Sequence, residues 1–342
     1  MYVKVFCNKK SCFDIKCIGE VVLIFMHNIM TFSYLKYFNF LYFVASLLVD
    51  IIPKFSIKIY NKALDIYLKK GLNVDFIGIL LDIAINLDIL GRKDEALLLY
   101  QKVMEINPLE ARAYYGMAII YDDKKDYHNA IFSYKRAIEL EPEYVEAYFF
   151  LANVLDESGK KEAAAEYYEK ATEIEPNHFW AYNNLAAVYE DLGKYDKALA
   201  SIRRGLKLEP DNYRALFNAG VIMNKLGYSN KAIEYYVKSI YQNAKYAYTY
   251  LNLSIIYVEQ NDYEKAIEII SKGIKSCPCS SFLFYNRACF YVHQEKFELA
   301  ISDLINALGL SKELEEYMKN DNELEPLKSV EQYRKLLESI KS

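Results

Sequence analysis

Apolar and small residues recur along residues 77–314 with a period of 34. Counting positions from Ile77, the pattern at 4, 7, 8 and 11 reads Leu80, Ile83, Ala84 and Leu87, then Tyr114, Met117, Ala118 and Tyr121. This is the i, i+3, i+4, i+7 stripe of an amphipathic helix. A second stripe runs through positions 20, 24, 27 and 30, as in Ala130, Tyr134, Ala137 and Leu140. Position 15 separates the two stripes and holds Gly91, Gly159, Gly193 and Gly227, with Asn261 as substitute. Glycine enters the left-handed region after a helix end without a Cβ clash, and asparagine is the next best residue there. Pro108, Pro142, Pro176, Pro210 and Pro278 then punctuate the end of the second stripe. Each unit is predicted to be two antiparallel helices joined by a tight turn.

Two further phases are small throughout. Position 20 holds Ala96, Ala130, Ala164, Ala198, Ala232, Ala266 and Ala300, and position 8 holds Ala84, Ala118, Ala152, Ala186, Gly220, Ser254 and Ala288. Small side chains let paired helix backbones approach, while bulky residues at 4, 11 and 24 fill the flanking grooves. A period in this range marks a stacked repeat array.

The phases resemble the tetratricopeptide repeat (TPR) family, whose pattern has a bulky residue at 4, Leu at 7, Gly or Ala at 8, Tyr at 11, Ala at 20, Phe or Tyr at 24, Ala at 27 and Pro at 32. One unit here reads Tyr148, Leu151, Ala152, Leu155, Ala164, Tyr168, Ala171 and Pro176; the next reads Tyr182, Leu185, Ala186, Tyr189, Ala198, Ile202, Gly205 and Pro210. The resemblance implies an all-α, right-handed α-solenoid of stacked antiparallel helix pairs, a TPR superhelix. Its seven units fall at 77–110, 111–144, 145–178, 179–212, 213–246, 247–280 and 281–314. Departures are Ala219, Ser239 and Ala244 in the fifth unit and Arg287 in place of Leu in the seventh. An arginine there is expected to lay its methylene stem on the core and keep its head in water.

A solenoid exposes a long groove instead of an enclosed cavity. In the resembled family the first helices line the concave face through positions 2, 5, 6, 9, 12 and 13. Position 6 gives Asn184, Asn218, Asn252 and Asn286, with Asn153 at position 9 of the third unit. Amides offer a donor and an acceptor, so such a ladder suits the backbone of an extended peptide. Positions 2 and 5 supply Phe149, Trp180, Arg214, Phe217, Tyr248, Phe282 and Tyr285. These residue types dominate binding hot spots, and packing against neighbouring units is the competing use for them. Positions 12 and 13 add Asp122, Asp123, Asp156, Glu157, Glu190 and Asp191, an acidic stretch that favours a basic or neutral ligand in the N-terminal half of the groove.

The expected function is a protein–protein interaction scaffold or adaptor that binds an extended peptide segment of a partner. The alternative is a regulatory or targeting subunit of an enzyme complex, or a membrane-anchored assembly factor. Some TPR domains clamp a C-terminal carboxylate with Lys and Asn of one unit, Asn of the next, and Lys and Arg of the third. Here the matching places hold Phe149 and Asn153, then Asn184, then Arg214 and Asn218, so two of the three cations are missing and no such clamp is expected.

Outside the array the pattern changes. Residues 1–36 form a basic and apolar extension, and residues 37–76 read as a degenerate capping unit with a linker. With Tyr37 as position 1, Phe40, Phe43, Leu47, Ser56, Tyr60, Ala63 and Ile66 take the core phases, Pro53 falls in the turn, and an insertion lies around Gly71 to Phe76. The competing reading gives residues 21–52 to membrane contact, with a tilted helix from Tyr34 to Ile52, although the charge-free runs Val21–Leu35 and Tyr37–Val49 are shorter than the roughly 20 residues of a helical span. No small-residue cleavage site follows Val21–Met26, so a secretory leader is not expected. Residues 315–342 carry Val330, Tyr333, Leu336, Leu337 and Ile340 as one stripe, expected to cap the last unit.

Composition narrows the function further. A 53% hydrophobic, 26% charged chain of 342 residues can bury a large core, and a net charge of -4 gives no general attraction to nucleic acid. No phosphate loop, HExxH, nucleophile elbow or dinucleotide fingerprint occurs. The four histidines, His27, His128, His178 and His293, lie far apart in sequence. Cys277 and Cys279 with Cys289, and Cys7, Cys12 and Cys17, match no usual zinc spacing and suit free thiols in a reducing cytoplasm. The chain is therefore expected to be a cytoplasmic non-enzyme, with no catalytic residues, metal or cofactor.

Overall fold

The 34-residue clock becomes a regular sequence of helix pairs. The computed structural model describes residues 34–48, 52–70 and 76–341, so the expectations for residues 1–33 and for an insertion at 71–75 lie outside the described residues. The chain divides into two compact bodies between Ala147 and Tyr148. No strand occurs among the described residues, and the architecture is an all-α solenoid of stacked pairs.

The first body contains α1 (Tyr34–Leu47), α2 (Pro53–Lys70), α3 (Phe76–Ile89), α4 (Lys93–Ile106), α5 (Ala111–Asp123) and α6 (Tyr127–Leu140). The division falls inside α7 (Val145–Glu157). The second body continues with α8 (Lys161–Ile174), α9 (Phe179–Asp191), α10 (Tyr195–Leu208), α11 (Tyr213–Lys225), α12 (Ser229–Gln242), α13 (Ala247–Glu259), α14 (Tyr263–Ser276), α15 (Ser281–His293) and α16 (Phe297–Leu310). It ends with α17 (Leu314–Asn320), a 3-10 helix (Asn322–Ser329) and α18 (Glu331–Lys341).

The turn inside each pair follows one recipe. The position-16 N–H donates back to the position-11 carbonyl, as in Arg92 to Leu87 at 2.8 Å, Lys194 to Tyr189 at 2.8 Å and Lys296 to Tyr291 at 2.9 Å. This six-to-one bond satisfies an orphan carbonyl and requires left-handed backbone at position 15. Gly91, Gly159, Gly193, Gly227 and Asn261 have positive φ as the spacing predicts. Lys125 (φ 59°) and Glu295 (φ 57°) occupy the same place without a glycine's freedom. The recipe is thus dictated by the hydrogen bond even where the side chain resists it.

Packing follows side-chain size. Every position-20 alanine from Ala96 to Ala300 is fully buried, as are Ala84, Ala118, Ala152, Ala186, Ser254 and Ala288 at position 8. At the remaining position-8 site, a Cβ on Gly220 would lie 2.5 Å from the Tyr236 ring. Position 24 fills the groove with Tyr100, Tyr134, Tyr168, Ile202, Tyr236, Ile270 and Leu304, all buried.

The first pair departs from the register expected for it. Phe43 and Leu47 are exposed, and Phe38, Leu41 and Ala45 form the buried face of α1 instead, continued by Leu48 just after it. In α2, Ser56, Tyr60 and Ala63 are buried as the spacing predicts. Ala45 meets Ser56, whose hydroxyl donates to the Ala45 carbonyl at 2.8 Å. The small pair is thus 11 residues apart instead of the 12 of a regular unit, and that one deleted residue rotates the face of α1. Helix α1 also stops at Leu47, so Tyr34 to Ile52 is not one continuous helix. Among the described residues no helix is long and apolar enough to cross a membrane.

At the other end, Met318, Leu324, Leu327 and Tyr333 close over Tyr285, Cys289 and Val292. Arg287 corrects a second expectation: its head is not in water but is bound by Asp303, whose side chain is 5% exposed, and by the Ser271 hydroxyl at 2.9 Å. A buried carboxylate at position 23 supplies the charge that draws the guanidinium inward.

Candidate functional site

The first helices of the second body place positions 2, 5 and 6 on one side of the pairs, and α9, α11, α13 and α15 also pack on one another in succession. Two arrangements result: a chain of amides and a row of rings.

The amide chain has a direction. Asn218 Nδ2 donates to Asn183 Oδ1 at 3.0 Å, Asn183 Nδ2 to Asn184 Oδ1 at 3.1 Å, and Asn184 Nδ2 to Asn153 Oδ1 at 3.1 Å. The Tyr168 hydroxyl donates to the same Asn153 oxygen. Burial pushes the Tyr168 phenol above its usual range, so it stays a donor at neutral pH. Asn252 and Asn286 do not join the chain. Their Nδ2 atoms turn back to the Tyr248 carbonyl at 3.0 Å and the Phe282 carbonyl at 2.7 Å on their own helices. The four position-6 amides are therefore two linked and two self-bonded groups. Asn183, at position 5 and 5% exposed, is the link that the ladder reading missed.

The rings form a row along position 2. Arg214 lies 5.8 Å over the Trp180 ring and its Nε donates to the Tyr213 hydroxyl at 3.1 Å, which raises the guanidinium pKa. Tyr213 meets Tyr246 edge-on at 5.1 Å, and Phe217 meets it at 5.3 Å. Tyr246 then contacts Tyr248 at 5.7 Å, and Tyr248 stacks on Phe282 at 4.9 Å with an interplanar angle of 18°. Phe149 sits apart, against His178 at 4.8 Å. Trp180 is 40% and Tyr248 52% exposed, whereas Phe149, Phe217 and Phe282 are half-buried.

Tyr285 does not belong to this row. It is 5% exposed beneath the C-terminal segment, and its hydroxyl donates to Asp321. Tyr246 and His178 were the unread members. Both occupy position 34, where Tyr144 is also aromatic, so the same clock held the signal.

The acidic positions are largely compensated by the preceding second helix. In the first body Lys93 Nζ lies 2.6 Å from Asp123. In the second, Lys161 lies 3.1 Å from Asp156 and also pairs with Asp191. Position 17 thereby neutralises position 13 of the following unit, which sequence distance concealed. Glu190 is held above the ordinary carboxylate range, chiefly by burial and then by Asp191.

Among the described residues no cluster of His, Cys, Asp or Glu is arranged to hold a metal ion. The site offers rings, one cation and amides, a chemistry of recognition.

Comparison with known proteins gives the same architecture. Residues 123–205 match a family model described as anaphase-promoting complex, cyclosome, subunit 3, and residues 183–248 and 247–278 match two models described as tetratricopeptide repeat. No curated protein matches. Among solved structures, a tetratricopeptide repeat protein from Parabacteroides merdae is 18% identical, with 69% of this chain and 93% of that one covered and a TM-score of 0.59. The APC/C hetero-tetramer Cut9–Hcn1 is 20% identical over 94% of this chain and 60% of that one, with a TM-score of 0.55. PilF of Pseudomonas aeruginosa is 18% identical over 64% and 96%, with a TM-score of 0.51. At these identities the likeness concerns the fold.

Proposed function

The chain is built of tetratricopeptide repeats, and from that premise we propose that it is an interaction scaffold whose first-helix face binds an extended segment of a partner protein. The observation that carries this reading is the contiguous row from Trp180 through Arg214, Tyr213, Tyr246 and Tyr248 to Phe282, which crosses consecutive repeats while leaving Trp180 and Tyr248 open to solvent. Rigid rings contribute contact area at little entropic cost. Trp180 and Tyr248 are the anchors, Arg214 is the one cation among them, and the half-buried Phe149 and Phe217 shape the floor.

The amides would read the ligand backbone. Asn252 and Asn286 each spend one N–H on their own helix and keep a second N–H and the carbonyl, whereas Asn153, Asn184 and Asn218 act through their chain. Lys161 compensates Asp156 and Asp191, so charge at that end favours a neutral segment, with Glu190 left to set it against an acidic one.

Selection from a displayed library of unstructured peptides tests the proposal. Selected peptides should lose about 2 kcal/mol or more of affinity with Trp180→Ala or Tyr248→Ala. Asn252→Ala should cost about 0.5–1.5 kcal/mol. A library yielding only peptides indifferent to these substitutions would move the site off this face.

A further inference from the structure

We propose that the second-helix face of the body formed by residues 148–342 carries a separate docking surface for an acidic segment of a partner protein, centred on Arg203, Lys231 and Lys238. These residues line a cleft of about 220 Å³ between α10, α11 and α12, together with Met223, Glu234 and Tyr235.

The charge arrangement is the argument. Glu234 follows Lys231 by three residues and precedes Lys238 by four, the spacings at which helix-surface ion pairs form. Neither pair forms. Lys231 lies instead over the Tyr228 ring at 5.3 Å and Lys238 over the Tyr235 ring at 5.9 Å. Among the described residues Arg203 has no carboxylate partner, and its neighbour Arg204 sits over Tyr182 at 5.9 Å. A ring holds an ammonium in place without cancelling its charge as a carboxylate does.

The next repeat is an internal control. Lys265, Glu268 and Lys272 occupy the same three positions, 19, 22 and 26. There both lysines close on the glutamate, at 2.7 Å and 2.6 Å, and hold its carboxyl down at about 2. Among the positions that differ, 16 and 23 carry the rings beneath the lysines, Tyr228 and Tyr235 in one repeat against Asp262 and Ile269 in the other. The tyrosines thus keep the cations of one repeat available.

The surface fits a peptide chain. Lys231 and Lys238 are two helical turns apart, roughly 10.5 Å along α12, a span that three residues of extended chain cover. Tyr228, Val237 and Tyr241 (85% exposed), at or just before the start of α12 and along it, add exposed apolar surface near the two lysines in sequence. A cleft of this volume between three helices admits a side chain, which the plane of a bilayer does not supply.

The test uses the full chain and a fluorescein-labelled ten-residue peptide with glutamate at every third position, with its glutamine counterpart as control. Fluorescence anisotropy at low salt should show binding of the glutamate peptide only, weakened at least tenfold by Arg203→Glu with Lys231→Glu and Lys238→Glu, and weakened by added salt. Lys265→Glu with Lys272→Glu should leave it unchanged, as should Trp180→Ala with Tyr248→Ala, which separates this surface from the first-helix face. Circular dichroism checks that each variant is folded. Equal binding by the triple variant, absence of wild-type binding, sensitivity to Trp180→Ala, or binding confined to phosphatidylserine vesicles in a flotation assay would each overturn the proposal.

Discussion

Arg287 grips Asp303 edge-on: Nε donates to Oδ2 at 2.7 Å and Nη2 to Oδ1 at 2.8 Å, with the arginine 18% and the aspartate 5% exposed. The pair joins the two helices of one repeat where other repeats use apolar residues such as Leu253 and Ile269. Truncating one partner leaves a buried charge, so Arg287→Leu alone should cost about 3–5 kcal/mol. Arg287→Leu combined with Asp303→Ile, which copies the preceding repeat, should be neutral or stabilising by about 1–4 kcal/mol. Urea denaturation of the two variants decides; equal losses would contradict the account.

Two glycines at position 27 should respond to alanine with opposite signs. A Cβ on Gly205 would have its nearest neighbour at 3.7 Å, ordinary contact, so Gly205→Ala gains helix propensity of about 0.5–1 kcal/mol. A Cβ on Gly273 would lie 2.7 Å from the Tyr250 Cβ, an atom fixed to the backbone, so Gly273→Ala should overpack the crossing and cost about 1–3 kcal/mol. Thermal midpoints measured side by side would show the split.

The turn residues Lys125 and Glu295 hold positive φ at a place where other repeats use glycine. Left-handed backbone costs an L-residue roughly 1–2 kcal/mol, offset in part by glycine's greater freedom when unfolded. Lys125→Gly and Glu295→Gly should therefore each stabilise by about 0.5–1 kcal/mol, and Gly159→Ala should destabilise. A fall in the denaturation midpoint of Lys125→Gly would mean that the side chain matters more than the backbone.

Buried phenols set an alkaline limit. Burial pushes Tyr100, Tyr134, Tyr168 and Tyr236 above the usual tyrosine range, and Tyr115 and Tyr333 up to about 12. A raised folded-state pKa means the fold prefers the protonated phenol. Its contribution is whole below about pH 10, the unfolded value, and is lost as pH rises through the folded value. The buried set should ionise only as the helical circular dichroism collapses. A single tyrosinate titration complete before any helix is lost would overturn this.

How far the fold was legible depended on side-chain size. Ala198 and Tyr236 announce a close crossing and a filled groove because the first place takes only a small side chain and the second only a bulky apolar or aromatic one, so the pairs are legible in the chain. The first pair was misread because one deleted residue between Ala45 and Ser56 rotates a helix without removing its apolar stripe. Site residues were harder, since exposure depends on what comes to lie above them. Tyr248 and Tyr285 look alike in sequence, yet the C-terminal segment covers only the second. The partners of Asn184 lie 31 residues away and next door, and nothing in the 34-residue clock says which way an amide turns.

That C-terminal segment has a consequence for assembly. Leu324, Leu327 and Tyr333 already occupy the apolar face that a further helix pair would need. They plug the terminal socket, so copies of the chain cannot add head-to-tail there into an open filament unless the plug is first withdrawn.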